Sequence, residues 1–271
     1  MTTLLDHAGG PYIGCAGNSI ARDLAPSFPG AGSHLERYAR VFGCVEVNTS
    51  FYRPHQPATY ARWADSVPDT FRFSVKIPRT ISHDAVLTDV DALLDRFHGE
   101  ASALGNKLGC LLLQLAPSTP FDSAVAAAFF AALRVRFNCM VACEARHASW
   151  FGDDATRLLT GAGVTRVIAD PAKGQPGAHV PTTAAIYTRL HGTPRIYYSS
   201  YAPEYLAQLG RDIVTHHAAG REVWCVFDNT ASGAATVNAL TVQQAVCQVP
   251  DNAPHESPRE PLLQSAAPPS T

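Results

Sequence analysis

The sequence is short of charged residues, and its net charge has no strong sign. Aspartate, glutamate, lysine and arginine make up 16% of its 271 residues, the formal net charge is −2, and the sequence pI is about 6.6. Charged residues usually account for about 25% of a globular chain, and nucleic-acid-binding domains are typically strongly basic. The composition therefore argues against a nucleic-acid partner and leaves room only for a local basic pocket.

Long apolar runs and paired cysteine motifs are also absent. No apolar stretch approaches the roughly 18 residues that a membrane span needs, and the first residues show no basic segment followed by an apolar one. The seven cysteines include no Cys-x-x-Cys pair, and six of them lie in or beside apolar, strand-like runs. We therefore expect a cytoplasmic protein with buried, reduced thiols and no membrane association.

Short apolar segments recur along the chain, and helix-like segments separate most of them. Each has the length of a strand and is rich in β-branched, aromatic or leucine residues, which is typical of strands buried on both faces of a parallel sheet. The eight segments are 12–17, 44–48, 71–77, 110–115, 140–145, 165–170, 185–191 and 222–228.

The intervening segments carry helix signals. Ser33 and Glu36 have the spacing of a capping box, and Pro57 stands where a helix would begin. The segment 171–184 is rich in proline and glycine, which predicts that the sixth helix is short or missing. The remaining helices are predicted over 89–104, 122–137, 153–159, 202–218 and 234–246.

This alternation predicts an α/β protein with a single (β/α)₈ barrel of the TIM type over residues 1–250. Such barrels commonly take about 250 residues. An open doubly wound sheet is the alternative, but it would usually show a glycine-rich phosphate-binding motif after a strand, and none is present. Residues 251–271 are rich in proline and serine without periodicity, so we expect a disordered tail.

Polar side chains gather at the ends of the predicted strands, where the active site of a barrel lies. Lys76, Gln114 and Glu144 are followed by further apolar residues, so they should lie within the rim, where burial without partners costs on the order of several kcal/mol. We therefore expect a polar floor under a ligand pocket, although a helix-capping role stays open for two of the carboxylates. The candidates are Glu46, Asn48, Lys76, Gln114, Glu144, Arg146, Trp150, Asp170, Arg189, His191, Asp228 and Asn229, and the two possible caps are Asp170 and Asp228.

Two segments that follow strands add further candidates. Tyr52 follows the second strand and offers a hydroxyl, while Arg79 and His83 follow the third. Together with Lys76, Arg146 and Arg189 they predict a locally positive pocket for a phosphate or carboxylate. Pairing of Arg146 or Arg189 with Glu46 or Glu144 inside the protein explains the same residues equally well.

The same segments resemble the YecE-like family, domain of unknown function 72, over about residues 11–245. The resemblance implies a TIM-type barrel with the candidate residues around its mouth, and it implies no established reaction. Members usually carry a Gly-Trp pair shortly after the first strand, where this chain has Gly17 and Asn18, so that part of the pocket is expected to differ. The matching segments are 12–14, 38–42, 45–48, 50–53, 73–78, 82–83, 113–114, 143–147 with Trp150, 187–192 and 227–230.

These residues favour an enzyme that performs acid/base chemistry on a small anionic or sugar-like ligand. Glu144 or His191 would transfer the proton, and Lys76 and Arg189 would hold the anion or stabilise developing charge. A non-catalytic ligand-binding or regulatory protein is the alternative, because a barrel mouth binds small molecules whether or not it converts them.

A metal enzyme is a further alternative, although the sequence requires no cofactor. Glu144, Asp170, His191 and Asp228 follow the order of the ligands in divalent-metal sugar isomerases and epimerases built on the same barrel. The neighbouring cations could also neutralise these carboxylates without a metal. A metal-dependent nuclease lacks the expected basic stripe with interleaved aromatics. The sequence specifies neither the reaction nor the oligomeric state.

Overall fold

The structure, a computed structural model, describes residues 10–248, and within this range every strand pairing is parallel. The strands coincide with the predicted apolar segments to within two residues at each end, except that the sixth is divided. Their bounds are β1 Tyr12–Ala16, β2 Cys44–Val47, β3 Arg72–Lys76, β4 Leu108–Gln114, β5 Met140–Glu144, β6 Val164–Arg166, β7 Ile168–Asp170, β8 Ile186–Leu190 and β9 Val223–Phe227.

The divided sixth strand joins the two ends of the sheet. The strand order is β6-β5-β4-β3-β2-β1-β9-β8-β7, so β6 pairs with β5 while β7 pairs with β8. Only Val167 separates β6 from β7, and its backbone N–H donates to the Cys143 carbonyl at 3.0 Å. The two short strands therefore take the place of one continuous strand in a nearly closed barrel, which confirms the predicted TIM-type fold.

Helices fill the connections, and the local signals in the sequence explain where several begin. Ser33 and Glu36 form the predicted capping box, with the Ser33 N–H donating to Glu36 Oε2 at 2.6 Å, and Pro57 opens its helix. The helices are α1 His34–Tyr38, α2 Thr49–Tyr52, α3 Pro57–Asp65, α4 Asp91–Ala101, α5 Ser123–Arg136, α6 Asp153–Gly161, α7 Pro203–Ala218 and α8 Ala234–Gln248.

Short helical turns supplement this set, and the connection after β7 has no helix. Arg22–Ser27, Ser102–Lys107 and Ala148–Phe151 are 3₁₀ turns, and Thr80–Asp84 is a π-helical turn. Residues 171–185 contain no helix, as their proline and glycine content predicts. The predicted tail, 251–271, lies outside the described residues. Within the described residues, no helix is long and apolar enough to cross a membrane.

The barrel interior is filled in layers, because side chains two residues apart on a strand point to the same side. An apolar cluster separate from the outer core occupies the middle of the barrel. On β2, β4, β5, β8 and β9 the next inward position carries a polar or charged side chain, so the cluster forms a floor beneath a polar layer at the C-terminal end. The cluster comprises Cys44, Cys110, Leu112, Ala142, Val167, Tyr187, Trp224 and Val226.

Candidate functional site

Charged and polar side chains from six strands meet above this apolar floor. All but His191 lie two residues beyond a buried inward-facing residue of the layer below, and His191 lies two residues beyond Arg189, so the pleat of the strand directs each of them into the barrel. All of them are buried. The members of this polar layer are Glu46, Lys76, Gln114, Glu144, Arg189, His191 and Asp228.

Arg189 stands at the centre of the layer and contacts three carboxylates. Its guanidinium donates to both oxygens of Glu46, at 2.9 and 2.7 Å, and to Asp228 Oδ2 at 3.0 Å, and it also pairs with Glu144. Burial lowers the pKa of Arg189, but the three carboxylates raise it well above its ordinary value. The possibility of internal pairing, left open by the sequence, is therefore realised for Arg189.

Glu144 connects this centre to the mouth. Its Oε1 accepts hydrogen bonds from Gln114 Nε2 at 3.0 Å and from Arg146 Nε at 2.8 Å. Burial raises the pKa of Glu144, but Arg189, His191 and Arg146 outweigh burial and hold the pKa well below its usual range. Glu144 is therefore a carboxylate at neutral pH, with Arg146 as its partner on the mouth side.

His191 is oriented through one nitrogen, and its other nitrogen faces Glu144 without forming a regular hydrogen bond. Its Nδ1 lies within hydrogen-bond distance of Asp228 Oδ2, at 3.0 Å. Its Nε2 lies 3.3 Å from Glu144 Oε1 but is buried without a hydrogen-bond partner among the described residues. Burial lowers the pKa of His191, but the two carboxylates raise it above its ordinary value.

Lys76 lies on the side of Gln114 that faces away from Glu144. Its ammonium donates to Gln114 Oε1 at 2.8 Å and lies 4.3 Å from the centre of the Phe51 ring. Burial, followed by the charge of Arg189, lowers the pKa of Lys76 to about 8. Lys76, Gln114 and Glu144 thus form a continuous hydrogen-bonded row across the ends of β3, β4 and β5.

A recess opens beside His191 at the C-terminal ends of β5, β7 and β8. Its volume is about 270 Å³, part of which is open to solvent. Its lining includes the cations of Arg146 and Lys173 and the apolar side chains of Ala145, Ala169 and Ile196. This mouth recess is lined by Glu144, Ala145, Arg146, Ala169, Pro171, Lys173, His191, Ile196 and Tyr197.

Two predicted residues, Asn48 and His83, lie beside the polar layer, and a third, Tyr52, lies in a different recess. Asn48 Nδ2 lies 3.4 Å from Asp228 Oδ1, which places Asn48 at the edge of the layer. The His83 ring packs edge-on against Phe51, with the ring centres 5.0 Å apart. Tyr52 is 77% exposed and lines a different recess, between α2 and α4.

Four further predicted residues lie away from both the polar layer and the mouth recess. Arg79 is exposed and pairs with Asp84 at 3.1 Å. Trp150 is buried and donates to the Thr119 carbonyl. The other two serve neighbouring loops: Asp170 accepts a hydrogen bond from Thr193 at 3.3 Å, and Asn229 donates to Ser199 O and Asn238 Oδ1, both at 2.9 Å.

Sequence reasoning missed two kinds of site residue. Tyr187 and Ser74 lie beneath the polar layer, where the Tyr187 hydroxyl donates to Glu46 at 2.9 Å and lies 2.7 Å from Ser74 Oγ. Both stand two residues before a predicted site residue, so the strand periodicity could have found them. Lys173 and Tyr197 come from loops and carry no comparable signal.

The carboxylates suggested as metal ligands do not assemble into one site. Within residues 10–248, no group of three or more histidine, cysteine, aspartate or glutamate side chains has an arrangement that could hold a metal ion. Glu144 and Asp228 both contact the Arg189 guanidinium, and Asp170 contacts Thr193 instead. The cations therefore neutralise the carboxylates that a metal would need.

Comparisons with known proteins agree with the barrel. Residues 12–262 match the family described as "Protein of unknown function DUF72". The UPF0759 protein YecE of Escherichia coli strain K12 is 40% identical over 143 residues, which is 50% of this chain and 52% of that protein, and the YecE protein of strain O157:H7 is 39% identical over the same shares. The match thus spans about half the length of these curated relatives.

Solved structures of the same family share the fold. The crystal structure of a DUF72 family protein from Thermotoga maritima superposes with a TM-score of 0.73 at 24% identity, covering 88% of this chain and 100% of that one. A DUF72 family protein from Enterococcus faecalis gives a TM-score of 0.73 at 22% identity, covering 89% and 96%.

Proposed function

The chain belongs to the DUF72 family, whose description assigns no reaction, and from its own site we propose that it is an enzyme that transfers a proton to or from a small anionic ligand in the mouth recess. One observation carries the proposal. His191 lines the recess, its ring is oriented by Asp228 through Nδ1, and its buried Nε2 has no hydrogen-bond partner among the described residues.

The environment of His191 suits proton transfer. An imidazole titrates near neutral pH, and an adjacent carboxylate fixes its tautomer and stabilises its charged form. Asp228 supplies that carboxylate at 3.0 Å, and Glu144 lies 3.3 Å from the unpartnered nitrogen. The raised pKa of His191 increases its protonated fraction near neutral pH, so His191 would donate a proton to the ligand and recover one afterwards.

The charges around the recess suit an anion. We count Arg146 together with the polar layer. The three carboxylates of this set, Glu46, Glu144 and Asp228, are then balanced by three cations, Lys76, Arg146 and Arg189. Protonated His191 and the Lys173 ammonium are additional positive charges at the recess wall. A ligand phosphate or carboxylate would bring the charge of this region close to neutrality.

The test is a ligand-observed NMR screen of small carboxylates and phosphate esters, followed by prolonged incubation of each binder with the protein in D₂O. We expect at least one binder to be converted, or to exchange a carbon-bound hydrogen for deuterium. His191→Asn should abolish the exchange while leaving the protein folded. His83→Asn is the matched control, because His83 lies near Phe51 and does not line the recess.

Other outcomes of the screen would reject the proposal. Binders recovered unchanged, with no exchange, would favour a non-catalytic small-molecule-binding or regulatory protein. Exchange that persists in His191→Asn would remove His191 from the proton-transfer role. The absence of any anionic binder would mean that the cations at the mouth serve only the carboxylates of the protein.

A further inference from the structure

The chain has only three lysines, and their surroundings differ sharply. The Lys107 ammonium donates to the carbonyls of Ala64 and Val67, at 2.7 and 2.8 Å, and so closes the end of α3. Lys173 is exposed on the rim of the mouth recess. Lys76 is buried inside the barrel mouth, so it neither bonds to the end of a helix, as Lys107 does, nor faces solvent, as Lys173 does.

The contacts of Lys76 leave its nitrogen under-used as a cation. A charged ammonium carries three N–H donors, but among residues 10–248 only Gln114 Oε1 accepts from Lys76, while the Phe51 ring at 4.3 Å adds a cation–π contact. No carboxylate oxygen lies within 4.0 Å of this nitrogen among residues 10–248. Arg189, in the same layer, instead donates to three carboxylates. Lys76 therefore loses its proton more readily than a lysine in solvent does, although the ammonium still predominates at neutral pH.

We propose that Lys76 is a nucleophile that forms an imine with an aldehyde or ketone group of the ligand. The inference rests on the proposed function and names its substrate class as small anionic carbonyl compounds. The neutral amine attacks the carbonyl carbon, a C–N bond forms, and the carbonyl oxygen leaves as water with both amine hydrogens. Desolvation and a neighbouring cation are the two usual means of activating a lysine for this step, and Lys76 has both.

The imine would form in the same polar layer as the proton-transfer group, although Lys76 itself does not line the mouth recess. Lys76 is joined through Gln114 to Glu144, and Glu144 lies 3.3 Å from His191 Nε2. A protonated imine withdraws electrons from the adjacent carbon and so makes its hydrogen easier to remove.

The charged groups around Lys76 set the pH at which the amine is free. Burial and Arg189 lower its pKa, while Glu46, Glu144 and Asp228 raise it, and the result is about 8. His83 is the titratable group on the Phe51 side, and burial followed by the charges of Lys76, Arg79 and Arg146 lowers its own pKa. Lys76 should thus react at a lower pH than an ordinary lysine, whose pKa is about 10.4.

The experiment traps the imine by reduction. The full chain is incubated separately with glyoxylate, pyruvate and pyridoxal phosphate in the presence of cyanoborohydride, and the adducts are located by intact mass and peptide mapping. We expect one adduct on Lys76 with at least one probe, and its yield should level off above about pH 8. Lys76→Arg and Lys76→Met should lose it, whereas Lys173→Arg should keep it.

Three results would overturn the inference. One is labelling spread evenly over the three lysines and the N-terminus, and another is an adduct that survives in a folded Lys76→Arg protein. The third is a wild-type yield that keeps rising towards pH 10, a measurement that needs no variant. If His191-dependent exchange of an anionic ligand persists without any Lys76 adduct, the imine is rejected and the proposed function stands.

Discussion

His191 Nδ1 lies 3.0 Å from Asp228 Oδ2, and the same carboxylate oxygen accepts a hydrogen bond from Arg189 at 3.0 Å. One oxygen atom thus joins the His191 imidazole at the recess to the buried Arg189 guanidinium at the centre of the polar layer. Because the Asp228 charge acts on both partners, the protonation of His191 and the integrity of the Arg189 network should be coupled.

Replacing Arg189 with methionine should strongly destabilise the protein. The substitution leaves three buried carboxylates without their shared partner, and removal of one member of a buried ion pair typically costs about 3–5 kcal/mol. We expect the thermal midpoint to fall by about 6–20 °C for a chain of this size. Arg136→Met is the control, because Arg136 pairs with exposed Asp91 and Asp95 and its loss should change little. Equal effects of the two variants would contradict the prediction.

Glu144 should contribute stability that is lost in acid. Its pKa in the folded protein is held well below the ordinary value of 4.5, so its contribution is fully present above that value and disappears as the pH falls through the depressed pKa. Glu144→Gln should therefore be much less stable than the wild type in urea at pH 7, and the difference should shrink as the pH falls below about 4.5. Exposed Glu204, in the first turn of α7, supplies the control variant Glu204→Gln. A difference that stays constant with pH would exclude this role.

Strand periodicity predicted the inward-facing part of the site. Arg189 lies on β8 and His191 directly follows the strand, two residues further on, so a period of two predicts that both point into the barrel, and in the structure both are buried there. The sequence could not decide between internal pairing and ligand binding, because that depends on distances between strands. The structure pairs Arg189 with Glu46 and Arg146 with Glu144.

Residues beyond the strand ends were less predictable, because the direction of the following turn decides their place. Trp150 turns inward in a 3₁₀ turn and bonds to Thr119, although it follows a site strand closely in sequence. Tyr197 has a φ of 71° and lines the recess because its loop folds back onto His191, to whose carbonyl its N–H donates. Such loop packing leaves no periodic signal.

The pKa values of two histidines near the mouth should be shifted in opposite directions from the ordinary value. Burial lowers the pKa of His83, and the nearby cations lower it further, whereas the carboxylates of Glu144 and Asp228 raise the pKa of His191 against burial. NMR titration of the imidazole carbons, assigned with His83→Asn and His191→Asn, should place one midpoint below 6.5 and the other above it. The His191 contribution to stability should be complete below pH 6.5 and lost as the pH rises through its raised pKa. A His191 midpoint at or below 6.5 would remove the protonated form from the proposed mechanism.

Gly174 should be required for the shape of the mouth recess. Its φ is +74°, and a Cβ atom there would lie 2.2 Å from the Arg146 carbonyl oxygen, so Gly174→Ala must displace the loop that carries Lys173. We expect a loss of about 1–3 kcal/mol of stability and weaker binding of sulfate at the recess. Gly177→Ala is the matched control in the same loop, because nothing lies within 4 Å of a Cβ at that position. Unchanged sulfate binding in Gly174→Ala would show that this loop does not shape the site.

Sulfate should bind at the mouth recess, and more tightly at pH 6 than at pH 8. Its charge is the same at both pH values, so the change must come from the protein. His191 loses its proton as the pH rises through its raised pKa, and Lys76 has lost about half of its own at pH 8. Calorimetric titration should therefore show a several-fold loss of affinity over this range, and His191→Asn should remove most of it.

The arginine at the recess provides the second arm of the sulfate experiment. Arg146 lines the recess and donates to Glu144, so Arg146→Met should weaken sulfate binding at both pH values. Arg79→Met should not, because Arg79 is exposed and pairs with Asp84. Binding that is equally weakened by both variants would indicate non-specific attraction to surface cations. If sulfate does not bind at either pH, Arg146 serves only as the ion-pair partner of Glu144 and the charges of the mouth balance one another. The ligand of the barrel then carries no negative charge.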